Sequence, residues 1–257
     1  MSSFTPPPPA SAPAAFDAEP EQPGLSEPAR IINTFVAPSK TFLDIRQNAS
    51  WWVPWLLISV FSIAFSIVVD KKVGYDHIAR NAMANNSQFE QQTPEQQSRT
   101  LSIVTASYKY GSYASPILTL LFALIVTLVL WATFNFGMAA EIPFGRAMAI
   151  VLYGWLPGLV GAVLTMISVW FGDPEGFRLE YPVGTNPAYY MSPGTSKFLL
   201  GALSSLDVIS LWMVALIGIG FALNAKKKLS TGTAIGTVAV WYFLVKLIGA
   251  AIAGARG

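Results

Sequence analysis

Two ionisable side chains stand inside long apolar stretches, Asp207 and Lys246. If those stretches are membrane helices, Asp207 lies about ten residues in, near the bilayer midplane. An ionised carboxylate there costs at least ~2.5–3.5 kcal/mol, so it needs a partner or a proton. Lys246 is the natural partner. On antiparallel helices the two groups are offset by about 7 Å, roughly the reach of a lysine stem. Such a pair can serve as a proton or ion relay, or simply as a buried pair. In the alternative, Asp207 hydrogen-bonds to Ser204 or Ser205 and Lys246 snorkels outward. A second feature is Tyr153-Gly-Trp-Leu-Pro157-Gly158. Pro157 removes a helical hydrogen bond and frees a carbonyl one turn back. Gly154 and Gly158 around it form a small-residue seam suited to close helix packing. The segment reads as a kinked seam, or as a binding site at the opened carbonyl.

Other chemistry is thinly represented. There is no cysteine, which excludes disulfides, thiolate catalysis and Cys-ligated metals. The single histidine, His77, stands in a polar stretch and reads as solvated. No phosphate cradle, nucleophile elbow or HExxH pattern occurs. Glu141 and Arg146 flank a tight turn and read as an ion pair fixing it. The net charge of +2 gives no footprint for nucleic acid. We expect no catalytic, cofactor-binding or metal-binding residues, and hence a protein that is not an enzyme.

The elements that position these groups follow from composition. The chain is 53% hydrophobic and 12% charged, about half the charge of an average soluble domain. Five apolar runs, about 51–69, 116–138, 147–171, 198–223 and 233–253, each reach the roughly 20 residues that a helix needs to cross a bilayer. Backbone groups in lipid must satisfy one another, which favours helices. Charges cluster between the runs, and tryptophans such as Trp51, Trp52, Trp55 and Trp170 mark their ends as interface anchors. The expected fold is an all-α bundle of five transmembrane helices.

Residues 1–28 hold eight of the 18 prolines and read as a solvated, disordered tail. Residues 29–47 place Ile31, Ile32, Phe35 and Val36 at helical spacing, with Pro38 dividing the stretch and Arg30, Lys40 and Arg46 as its basic side. This predicts one or two short amphipathic helices, lying in the headgroup plane or packed on the protein. Thr93-Pro94-Glu95-Gln96 predicts a capped helix start, with the helix ending at Gly111. The Pro- and Gly-rich loop 172–196 predicts an irregular cap. Basic residues divide almost evenly between the two faces. The short Lys226-Lys227-Lys228 turn favours a cytoplasmic N-terminus and an outer C-terminus.

Several of these residues fall into a known order. Pro38-x-x-x-Phe42 precedes the first run. Tyr153-x-x-x-Pro157 lies in the third, and Leu206-Asp207-x-x-x-Leu211-Trp212 opens the fourth, followed by Gly218 and Gly220. A basic turn then leads into an Ala/Gly-rich fifth run. Over residues 28–254 this resembles the bacterial members of the Yip-domain family, whose eukaryotic members are named for interaction with Ypt/Rab GTPases. The resemblance implies a membrane domain over 29–254, five spans, a cytosolic N-terminus and no catalytic residues. Asp207, Lys246, Tyr153, Pro157, Gly158 and Trp212 are the candidate intramembrane polar or packing site. The expected partners are the lipid bilayer and a protein partner or second copy. The expected role is non-enzymatic membrane organisation or partner recruitment in a bacterial inner membrane. The alternative is a small transporter or channel using Asp207 and the Pro157 break.

Overall fold

A computed structural model describes residues 24–84, 86–172, 182–192 and 194–255. Most of the Pro-rich tail, residues 1–23, and residues 173–181 of the cap loop lie outside the described residues. The described chain is all-helical: α1 (Glu27–Val36), α2 (Pro38–Asp44), α3 (Trp52–Lys72), α4 (Tyr75–Met83), α5 (Ser87–Glu90), α6 (Pro94–Tyr113), α7 (Ser115–Met138), α8 (Phe144–Gly154), α9 (Gly158–Phe171), α10 (Lys197–Ser204), α11 (Val208–Asn224) and α12 (Thr231–Ala255). A short 3-10 turn covers Pro187–Tyr190.

Four units are long and apolar enough to cross a membrane: α3, α7, the α8–α9 pair and α12. A fifth crossing results if α10 and α11, bent by 48° at their junction, count as one. The chain is thus an integral membrane protein. The fourth apolar run was expected to be continuous. It is broken at Ser205–Asp207 because Asp207 adopts extended backbone and caps α11, its side chain accepting from Ser210 N–H at 2.7 Å. An aspartate satisfies an exposed helix N-terminus better than it tolerates a helix interior.

α8 forms the centre of the bundle, with every residue from Ala147 to Gly154 buried. In lipid, apolar area alone does not draw helices together, so small residues that allow close approach carry the packing. Gly218 makes the closest approach to the backbone of another helix: a Cβ there would lie 2.5 Å from the Ile235 Cα of α12. Phe134 of α7 stacks on Phe221 of α11 at 4.3 Å between ring centres.

Two faces close the bundle. One carries α1–α2, the 139–143 turn and the 225–230 turn, and is called the hairpin face below. Asn135 pins the first turn with two hydrogen bonds to the Ile142 backbone, at 2.9 and 2.8 Å. Lys226 N–H donates to Ala140 O at 2.9 Å and stitches the turns together. Glu141 does not pair with Arg146. Its partner is Lys226 at 2.8 Å, while Arg146 donates to the Arg46 carbonyl at 2.9 Å. At the opposite face α6 starts at the expected capping box of Thr93 and Gln96. It runs through Gly111 instead of stopping there. Ser112 and Tyr113 dock on α3 through Ser66 and Asp70, and Ala114 alone separates α6 from α7. A glycine costs a helix only about 1 kcal/mol and does not halt one held by tertiary contacts.

Candidate functional site

The densest polar arrangement lies at the base of the α1–α2 hairpin. α1 begins where Ser26, Glu27 and Pro28 supply an N-cap, a first-turn acid and a proline in the first turn. α2 begins at Pro38, which brings no N–H to satisfy. Arg30 was expected on an exposed basic face, but its side chain is 0% exposed and turned inward. Its Nε donates to Asp44, and its Nη1 lies 3.4 Å from Glu27. The Tyr153 hydroxyl of α8 donates to the other Glu27 oxygen at 2.7 Å. Leu25 N–H donates to Asp44 Oδ1 at 2.7 Å and closes the base. Inside the hairpin, the Thr34 and Thr41 hydroxyls both donate to the Arg30 carbonyl at 2.9 Å.

The same face fixes α2 to α11. Asn224 Nδ2 donates to Phe42 O and Gly220 O, each at 2.9 Å. Gly220 makes room for Phe42, since a Cβ there would sit 2.9 Å from that ring and 2.5 Å from Ile150. Arg46 donates to the Leu223 carbonyl at the end of α11, where a cation meets the negative end of the helix dipole. Phe35 meets Trp212 of α11 edge-on at 5.7 Å.

The remaining predicted residues separate into different environments. Asp207 and Lys246 do not pair. The Asp207 oxygens are taken by Ser210 N–H and the Thr185 hydroxyl. Lys246 is exposed, its Nζ 5.9 Å from the Tyr242 ring centre on its own helix. The offset argument failed because the α10–α11 break gives Asp207 local donors and leaves Lys246 on an outward face. Pro157 does interrupt the third span, in the turn between α8 and α9, but the carbonyl one turn back is closed. Leu156 N–H donates to Tyr153 O at 3.1 Å. Gly154 lies against Ile217, where a Cβ would come within 2.4 Å, whereas Gly158 makes only ordinary contact with Met213. Among the described residues no group of three or more His, Asp or Glu side chains could hold a metal.

Residues 32–253 match the family model of the Yip1 domain. The chain belongs to the Yip1 domain family. No curated protein and no solved structure matches it significantly. The family is a membrane family, which agrees with the apolar helices. The matched region runs from the second half of α1 into α12, so it takes in α2 and the hairpin tip, while Glu27 and Arg30 lie just before it. Sequence reasoning found Tyr153 and Trp212 but missed Glu27, Asp44 and Asn224. For Glu27 a signal existed: Ser-Glu-Pro is a helix start, although it closes a stretch read as tail.

Proposed function

We propose that this Yip1-family protein is non-enzymatic and organises the membrane or recruits a partner through its hairpin face. The bilayer and a protein partner or second copy are its contacts. We place it in a bacterial inner membrane, with the hairpin face in the cytoplasm and the C-terminus outside. The observation that carries this reading is the ion network that fixes the N-terminal helices onto the bundle. A segment anchored by Glu27, Arg30, Asp44 and Tyr153 offers a rigid surface beside the exposed Arg46 and Lys226 to Lys228. The orientation rests on that basic turn, which shares a face with the α1–α2 hairpin base.

Photocrosslinking from positions 227 and 228 in native membranes tests the proposal. We expect a reproducible protein adduct or a self-adduct. An ion conductance in proteoliposomes that Asp207→Asn abolishes would replace this reading with a transporter or channel. The bend at Asp207 is the one observation that favours that second reading.

A further inference from the structure

We infer that the α1–α2 hairpin is re-entrant: it dips from the hairpin face about half-way into the bilayer and returns, with lipid acyl chains against its outer side. This goes beyond the proposed role and holds whichever face is cytoplasmic.

Depth is read against α11, which ends at the face with Asn224. Arg46 reaches the Leu223 carbonyl, so the chain leaving α2 is level with that end. Phe42 lies against Gly220, about 6 Å further in at 1.5 Å per residue. Phe35 meets Trp212, about 18 Å in on the same scale. Helical side chains lean toward their own N-terminus. Trp212 therefore leans away from the hairpin face. Phe35 leans back toward that face, so its backbone is deeper than its ring. A 30 Å core has its midplane at about 15 Å, which puts the Val36-Ala37-Pro38 tip near the centre.

The polarity of the hairpin agrees independently. Arg30, Thr34 and Thr41 are buried on its inner side. Ile32, Val36 and Leu43 are 61, 74 and 44% exposed on its outer side. That distribution is inside-out for water and right for hydrocarbon. The outside of α3 is apolar in the same way, with Trp52, Leu56 and Val60 exposed. Two of the tip's N–H groups are satisfied within the protein, as hydrocarbon demands. Ala37 N–H donates to Asn33 O at 2.8 Å, Lys40 N–H donates to Ala37 O at 2.9 Å, and Pro38 has no donor. Lys40 is the one exposed charge within the two helices among the described residues. It lies about 9 Å below the end of α11, and its stem spans most of that distance to the headgroups.

The absence of cysteine makes the test direct. Single variants Val36→Cys, Ile32→Cys and Leu43→Cys carry a nitroxide label in liposomes, with Ile125→Cys and Gln88→Cys as lipid-facing and aqueous references. Melting temperature confirms that each labelled protein is folded, and Ile32→Cys substitutes if Val36→Cys is not. We expect the Val36 label to be open to oxygen and closed to a water-soluble nickel chelate, as Ile125 is. It should lie about 10 Å deeper than the Leu43 label. Three results overturn the inference: nickel access equal to that of Gln88, a depth no greater than that of Leu43, or shielding from both reagents. The last would mean that protein, such as a second copy, covers the face.

Discussion

The hairpin base and the α10–α11 break both hold charge within an apolar body, and they do so on opposite plans. At the base, one guanidinium lies between two carboxylates, one of which accepts from a phenol 126 residues away. Arg30 Nη2 even lacks a partner among the described residues. At the break, a single half-buried carboxylate is satisfied by a nearby N–H and one hydroxyl. The first plan joins distant segments and fails if one member is lost. The second starts a helix, ties it to Thr185 of the cap loop, and tolerates any group that still accepts a hydrogen bond. Charge within the bundle is therefore not one signal, because pairing across the fold and capping within a turn answer the same desolvation cost differently.

The largest expected effect tests the first plan. Arg30→Met leaves Glu27 and Asp44 without their cation, and removing one partner of a buried pair costs about 3–5 kcal/mol. The denaturation midpoint in detergent should fall accordingly, and the Arg30→Met/Asp44→Leu double variant should regain only part of it, since Glu27 still lacks a cation and Leu25 N–H its acceptor. A loss below about 1 kcal/mol would put the hairpin base on the same footing as the break. A smaller effect tests the second plan. Asp207→Ala should cost about 1 kcal/mol as a lost cap, and Asp207→Asn only a few tenths. Equal losses would mean that the carboxylate charge itself matters and would blur the contrast. The smallest effect concerns a pair outside the membrane body. Lys226, through its hydrogen bond, holds the Glu141 carboxyl below its ordinary range. Its contribution is present above the unfolded carboxylate value and is lost as pH falls through the folded one. Melting temperature followed from pH 7 to 3 should show a slight extra acid sensitivity that Lys226→Gln removes. Both side chains are exposed, so a large shift would contradict the structure.

Much of the fold was legible because a bilayer imposes a length that apolar runs display directly. The α6 capping box was legible for a similar reason, since Thr93, Pro94 and Gln96 act within one turn. The break at Asp207 was not, because the run around it stays apolar. The single clue is an aspartate with a serine three residues on. The Arg30 site was misread for a physical reason. Amphipathicity was taken to point charge outward, as beside water, and beside lipid the sense reverses. Tyr153 was singled out for the Pro157 kink, while the helix-start signal at its hydroxyl partner, Glu27, sat at the end of a proline-rich stretch that masked it.

Chain order gives the Asn224 amide bonds one more consequence. The Phe42 carbonyl is made 182 residues before the amide that caps it, and Glu27 long before Tyr153. The Arg30–Asp44 pair can form as soon as the first 44 residues emerge, but its docking groove waits for α8 and α11. These two helices are thus secured only after α11 is made, and truncation before it would strand a charged loop with nowhere to settle.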